Sequence, residues 1–258
     1  MPNKSSDAPQ RRRILLVTGG SRGIGAAVCR QAIEAGYDIA LTWRSEQAAA
    51  EAIVAEARAK GRRAIAVQAE MSRREDIARL YETVDAKLGP LTHLVNNAGL
   101  IGPGSPLIEA SDDTIAHCID VNVTGAILVA REAARRMAKS RGGHGGAIVH
   151  LSSMAATLGA PGEFVWYAAS KGAIDALTIG MSKEMGKDGI RVNAVAPGLI
   201  DTEIHASAGD PGRLDRMRGM IPVGREGTAD EVASAILYLL SDDAAYVSGT
   251  ILRVSGGR

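Results

Sequence analysis

The stretch Thr18-Gly19-Gly20-Ser21-Arg22-Gly23-Ile24-Gly25 decides the fold of this 258-residue chain. Residues 14–18 lead into it as a short apolar run, and residues 25–35 follow with apolar Ala26, Val28, Ala32 and Ile33 at helical spacing. Glycines between a strand and a helix let the backbone turn sharply and let a diphosphate approach the main chain. The helix then offers unpaired N–H groups and the positive end of its dipole to the anion. A glycine pattern alone is weak evidence; its place after a strand and before a helix, near the start of the fold, marks a dinucleotide-binding turn. Gly19, Ser21, Arg22, Gly23, Ile24 and Gly25 are therefore candidate cofactor contacts.

The same strand-to-helix rhythm continues outward. Apolar runs recur at residues 38–43, 64–69, 91–96, 147–151, 191–196 and 250–254, separated by Ala-rich segments such as residues 46–60. Continuous apolar runs, rather than alternation, suit parallel strands covered on both faces. The chain is expected to be α/β, a Rossmann-type doubly wound parallel sheet with helices on both faces. Aromatics are only 3% of residues against 46% hydrophobic, so the core must be aliphatic. No internal repeat or long linker interrupts the pattern, and residues 13–258 are expected to form one domain. Within it, residues 201–220, polar and punctuated by Gly209, Pro211 and Gly212, read as a substrate lid or as an ordinary surface loop with a short helix.

A formal net charge of +1 gives no global attraction to nucleic acid or an anionic membrane. Cys29 and Cys118 sit inside helical patterns and read as reduced core residues. None of the five histidines makes a short ligand pattern with Cys or an acid, so no metal site is read. Residues 1–12 are polar with two prolines and are expected to be a disordered tail without the apolar stretch of a signal peptide. Arg11, Arg12 and Arg13 read as a solvated charge run, with contact to an anionic partner as the alternative. No uninterrupted apolar run approaches the ~18 residues needed to cross a bilayer. A cytoplasmic protein with no membrane partner is expected.

Further motifs stand in a fixed order: Asn96-Asn97-Ala98-Gly99 after the fourth strand, Asn122 in Val121-Asn122-Val123-Thr124-Gly125, Tyr167-Ala168-Ala169-Ser170-Lys171, and Pro197-Gly198 after the sixth strand. Together with Thr-Gly-x-x-x-Gly-x-Gly, this set resembles the short-chain dehydrogenase/reductase family from about residue 13 to the C-terminus, and most of all its glucose dehydrogenase and 3-ketoacyl reductase branches. The resemblance implies a seven-stranded sheet in the order 3-2-1-4-5-6-7. In that order the Gly19 turn and the Asn96–Gly99 turn flank one crevice at the strands' carboxyl ends. It implies an oxidoreductase interconverting a carbonyl and a secondary alcohol, acting on a small molecule, and a homotetramer built through helices around residues 122–137 and 167–186. A catalytically silent NADP-binding sensor or scaffold is the alternative from another class; loss of Tyr167 or Lys171 would signal it, and both are present.

NAD binders place an Asp or Glu after the second strand for the adenosine ribose. Here that strand ends Leu41-Thr42-Trp43-Arg44-Ser45, with no carboxylate before Glu46. Arg44 offers a fork suited to a phosphate, and Arg22 can approach the same group. NADP(H) is preferred, with NAD(H) possible; the competing reading makes both arginines solvated surface charges. After the third strand, relatives carry Asp and an apolar residue against the adenine, where this chain has Glu70-Met71.

Tyr167 and Lys171, four apart on a helix, share one face. The resemblance makes Tyr167 the general acid and base. A free phenol near pKa ~10 is a poor base at neutral pH, and about 4 kcal/mol of preference for the phenolate would bring it near 7. A neighbouring ammonium and an oxidised nicotinamide would supply it. Lys171 would also hold the nicotinamide ribose. Ser153, six residues before Gly159 as in relatives, would donate to the developing oxyanion, with Ser152 its competitor and a small insertion near residues 161–163. Asn122 is expected to hold a water linking Lys171 to solvent, or else to bond backbone from a helix interior. Asn96, Asn97, Ala98 and Gly99 would border the cofactor ribose. Pro197, Gly198, Ile200 and Thr202 would meet the nicotinamide, a helix N-cap being the alternative for Thr202. Glu163, Phe164 and Trp166 read as pocket lining or as a subunit contact. The cluster Arg131, Arg135, Arg136, Lys139 and Arg141 reads as a solvated helix end or a dock for an acidic carrier protein.

Overall fold

Each apolar run expected to be a strand is one in the computed structural model, which describes residues 12–258. The strands are β1 (Ile14–Val17), β2 (Asp38–Trp43), β3 (Ala64–Gln68), β4 (His93–Asn96), β5 (Gly146–Leu151), β6 (Ile190–Pro197) and, last in the chain, β9 (Ile251–Val254). They form one sheet in the order β3-β2-β1-β4-β5-β6-β9, and each neighbouring pair is parallel. This is the expected seven-strand order. The final strand is the ninth only because β7 (Ile200–Asp201) and β8 (Gly227–Thr228), unforeseen in the sequence, pair with each other in a separate two-stranded sheet.

Strand residues alternate between two faces, and both faces are covered. On one side Leu15, Val17, Ile39, Leu41 and Val149 pack with α1 (Gly23–Glu34), α2 (Gln47–Ala59) and α10 (Ala229–Leu240), through Val28, Ile53 and Ile236. On the other, Ile14, Leu16, Leu94, Ile148 and Val192 pack with α3 (Arg74–Lys87) and α5 (Ala126–Met137), through Leu80, Tyr81, Val129 and Met137. Leu15, Leu16, Leu41 and Leu94 are completely covered. Each contributes about 1.5–3 kcal/mol by burial, before the entropy of ordering is set against it.

Helix α4 (Asp112–Ile119), a π-helical segment Asp120–Gly125 and α5 form one helical run. By length and composition alone Asp112–Met137 could cross a bilayer. Polar and charged residues interrupt its apolar ones, so no unbroken run of that length shows in the sequence. In the fold Val129, Ala133 and Met137 join the second core, and the Tyr81 hydroxyl donates to the Val129 carbonyl at 2.6 Å.

Beyond β5 come the one-turn α6 (Ala155–Leu158) and the long α7 (Val165–Met185); residues 201–220 hold α8 (Ile204–Ser207) and α9 (Arg213–Met217). The small insertion read near residues 161–163 is a turn entered by Ala160, a non-glycine residue at φ 46.

Residues 1–11 of the expected disordered tail, Arg11 included, lie outside the described residues. Arg12 and Arg13 are exposed, as a solvated run would be, and each also has a partner on the fold. Arg12 pairs with Asp38 at 3.3 Å, and Arg13 stacks over the Tyr37 ring at 4.4 Å while donating to the Ala35 carbonyl. The largely buried Asp38 carboxylate, also held by the Arg63 backbone N–H and Nε, supplies the anchor.

Candidate active site

The β1 and β4 turns are tied directly together. The Thr18 hydroxyl accepts from the backbone N–H groups of Asn97 and Ala98, both at 3.0 Å, and the Asn97 amide donates to the Thr18 and Gly19 carbonyls at 2.9 and 3.0 Å. Gly19 sits at φ +63, and its N–H donates to the Thr42 hydroxyl at 2.9 Å. Gly25 has no room for a side chain: a Cβ there would lie 2.2 Å from the Gly19 carbonyl oxygen. Helix α1 can therefore start tight against the turn. Its N-cap residue, Arg22, makes no side-chain cap, so the first-turn N–H groups are left to an anion.

One crevice of about 760 Å³ runs from Arg44, Ser45 and Glu70 past the glycine turn to Ser153, Tyr167 and Lys171. Ser21, Arg22, Gly23, Ile24, Met71, Asn97, Ala98, Gly99, Pro197, Gly198, Ile200 and Thr202 also line it. Asn96 is the exception among the four turn residues. It is buried beneath the crevice and donates to the Ala126 carbonyl at 2.9 Å. A nicotinamide dinucleotide fits this shape: an elongated cleft, a glycine turn that only a backbone can fill, and uncapped helical N–H groups midway. Thr202 stands two residues ahead of α8 and against Gly23, not in the N-cap position.

At the adenosine end the sequence reading lacked a carboxylate beside Arg44. The structure supplies one: Glu70 lies 3.6 Å from the Arg44 guanidinium. Parallel pairing brings the two together, because Trp43 stands opposite Gln68 and the residues just past each strand end are neighbours. The Glu70 carboxylate expected at the adenine thus has a cation partner, while its backbone N–H is held by Asp76 at 2.8 Å.

Ser153, not Ser152, is the serine close enough to the Tyr167 phenol to lower its proton affinity. Ser152 is buried behind it, donating to the Lys171 carbonyl at 3.5 Å. Lys171 lies one turn along α7, its Nζ 5.6 Å from the Tyr167 ring centroid, and donates to the Leu151 carbonyl at 2.7 Å. The expected lowering of the phenol is not what the protein's own groups produce. Burial pushes Tyr167 up to about 12, opposed first by the neighbouring Ser153 and then by the charge of Arg213. Burial also pulls the Lys171 ammonium down to about 8, against the favourable fields of Cys118 and Asp175.

Asn122 sits in the π-helical segment, and its side chain is fully committed. Oδ1 accepts from the Leu100 N–H, and Nδ2 donates to the Leu100 carbonyl and to Ser170 Oγ at 3.1 Å. Its amide therefore bonds backbone from within the helical run. Gly99 lies between the two polar groups; a Cβ there would be 3.2 Å from Asn122 Oδ1 and 3.5 Å from Lys171 Nζ.

Glu163 and Phe164 line the crevice, whereas Trp166 turns inward and donates to the Ile101 carbonyl at 2.8 Å. The Arg131–Arg136 cluster is laced to Glu132 and Asp85. Residues that the sequence did not single out also reach the site. Thr18 and Thr42 clasp the turn, and Arg213, Met217, Met220 and Arg258 wall the end beyond Tyr167. Two threonines at the ends of apolar strands were a visible signal for the first pair. For the second group there was none beyond the lid reading.

The sequence profile of the family described as enoyl-(acyl carrier protein) reductase matches residues 19–258. An uncharacterized oxidoreductase of Escherichia coli K12, YgfF, is 46% identical over 245 residues, 95% of this chain and 99% of the relative. A short-chain dehydrogenase from Burkholderia cenocepacia in complex with NADP superposes with a TM-score of 0.87 at 35% identity, over 95% of this chain and 97% of that one. A 3-ketoacyl-(acyl-carrier-protein) reductase from Brucella melitensis complexed with NADH does so at 0.88 and 27% identity, over 95% and 98%.

Proposed function

The chain belongs to the short-chain dehydrogenase/reductase family of oxidoreductases, and on that premise we propose that it moves a hydride between NADP(H) and the carbon of a carbonyl or secondary alcohol, with Tyr167 as general acid and base. The observation that carries this reading is that Ser153, Tyr167 and Lys171 line the same crevice as the glycine turn, with Lys171 Nζ 5.6 Å from the phenol ring.

When bound, the nicotinamide supplies or accepts the hydride and, oxidised, sets a positive charge beside the phenol. The chain's own residues do the rest. Tyr167, held protonated by burial, is a ready proton donor to the carbonyl oxygen in reduction. Ser153 donates to the same oxygen as negative charge develops there. Lys171 holds the ribose hydroxyls and stabilises the phenolate left on Tyr167. Asn122 keeps Leu100, and with it the Gly99 turn, at the distance that lets the ribose lie against Lys171. Gly19, Ser21, Arg22, Gly23, Ile24 and Gly25 receive the diphosphate. Ala98, Gly99, Pro197, Gly198, Ile200 and Thr202 border the ribose and nicotinamide.

Arg44 and Arg22, with Ser45, favour NADP(H) over NAD(H), since both cations line the crevice and Glu70 is paired to Arg44. Residues 201–220 are proposed as the substrate lid. A homotetramer is proposed through α5 and α7, supported by Ile127 and Ile179, exposed large apolar side chains on those helices.

The test is Tyr167→Phe. NADPH binding, followed by fluorescence titration, should be unchanged, while turnover over a carbonyl panel should fall at least ~100-fold. Turnover close to the unaltered protein would reject the assignment.

A further inference from the structure

The wall beyond Tyr167 holds charged side chains that hydride transfer does not use. Arg213, on α9, stacks over the Phe164 ring at 4.9 Å, and Phe164 meets Tyr167 edge-on at 5.7 Å. Its side chain is only 11% exposed. Glu163 takes one edge of the guanidinium, Nε at 3.3 Å and Nη2 at 2.7 Å. Nη1 keeps its donors without a partner among the described residues. Arg258 lines the same crevice, and its guanidinium makes no hydrogen bond or ion pair with any described residue.

These groups feel one another. Partial burial, and then the charge of Arg213, pull the Arg258 pKa down, with Glu163 opposing. Arg216 is spent on Asp210 and Glu163. The free donors lie on Arg213 and Arg258. A partly buried cation beside another is unfavourable until an anion joins them, and a planar guanidinium edge matches a carboxylate. Leu158, Met217 and Met220 make the remaining wall apolar.

Resting on the carbonyl reduction proposed above, we infer that the substrate is an oxo acid: a ketone with an apolar body and a carboxylate a few carbons from the carbonyl, received by Nη1 of Arg213 and by Arg258. The carboxylate is unchanged in the reaction. Hydride adds to the ketone carbon, the Tyr167 proton goes to its oxygen, and a hydroxy acid leaves.

The experiment measures NADPH oxidation by the full-length protein with 2-, 3- and 4-oxo carboxylates of four to eight carbons, each beside its own methyl ester. The best substrate should be an acid, at least ~10-fold above its ester in kcat/KM, a factor in the range of one charge-assisted contact. Arg258→Gln should erase most of that preference through KM while leaving the esters within about threefold, and Arg213→Gln should do the same. Ester turnover reports that each variant is folded. If every ester is reduced as well as its acid, the oxo-acid inference is overturned and the oxidoreductase reading stands. An acid preference indifferent to both substitutions also overturns it. If no carbonyl of either kind is reduced, the oxidoreductase reading fails, and this inference with it.

Discussion

Leu100 and Asn122 exchange two hydrogen bonds: the Leu100 N–H donates to Oδ1 at 2.9 Å, and Nδ2 donates to the Leu100 carbonyl at 2.8 Å. A side chain from the π-helical segment thus does for the β4 turn what a neighbouring strand would otherwise do. Asn122→Leu keeps the volume and removes both bonds. We expect it to cost about 1–3 kcal/mol in urea unfolding, because two partly buried backbone groups lose their amide partner. Turnover should fall with it, since Gly99 would no longer be held against Lys171. A variant as stable and active as the parent would show that the turn is fixed by other contacts.

The two adjacent serines should separate cleanly. Ser153 lines the crevice beside the Tyr167 phenol, whereas Ser152 donates to the Lys171 carbonyl. Ser153→Ala is expected to lower kcat by about 10²–10³, the usual loss of one oxyanion donor. Ser152→Ala, which leaves that donor in place, should cost far less. Equal losses in steady-state kcat would refute the distinction.

Cofactor choice should respond to Arg44 and Glu70 in opposite directions. Arg44→Ala removes a cation from the adenosine end and should raise the KM for NADPH by roughly tenfold or more, with NADH little changed. Glu70→Gln frees Arg44 from the carboxylate 3.6 Å away and should lower the KM for NADPH. If both substitutions shift NADPH and NADH alike, Arg44 does not read the 2′-phosphate.

Lys171 makes stability depend on alkaline pH in a direction that can be worked out. Burial lowers its pKa to about 8 from an ordinary 10.5, so between those values the unfolded chain binds the extra proton. Unfolding free energy therefore rises with pH across that window: the benefit is fully present above 10.5 and is lost as pH falls through about 8. Lys171→Met lacks this dependence. Plotted against pH from 7 to 10, the difference in stability should move in favour of the parent above pH 8, by up to ~1.4 kcal/mol per pH step of one. A difference that stays flat, or moves the other way, would mean the amine is not desolvated.

Gly25 tests the phosphate turn. A Cβ there would collide with the Gly19 carbonyl oxygen at 2.2 Å and with Asn97 Nδ2 at 2.7 Å, both part of the clasp between the β1 and β4 turns. Gly25→Ala should weaken NADPH binding by at least ~10-fold and lower thermal stability, because strain from forcing a methyl group into backbone costs about 1–3 kcal/mol. Unaltered binding in a fluorescence titration would place the diphosphate elsewhere.

What the chain's own order of residues determined is what neighbours in sequence can encode. Strands covered on both faces must be apolar throughout, so Ile14 to Val17 and its six counterparts were legible as runs. The glycine turn announced itself between a strand and a helix, and a four-residue spacing was enough to put Tyr167 and Lys171 on one helical face. Tertiary structure decided the rest. Glu70 reaches Arg44 through the β2–β3 register, Glu163 reaches Arg213 across fifty residues, and the choice of Ser153 over Ser152 follows from how β5 ends against α7. Proton affinities were out of reach for the same reason. A phenol at about 12 and an ammonium at about 8 reflect how completely each is removed from water, and burial is a property of the packed layers.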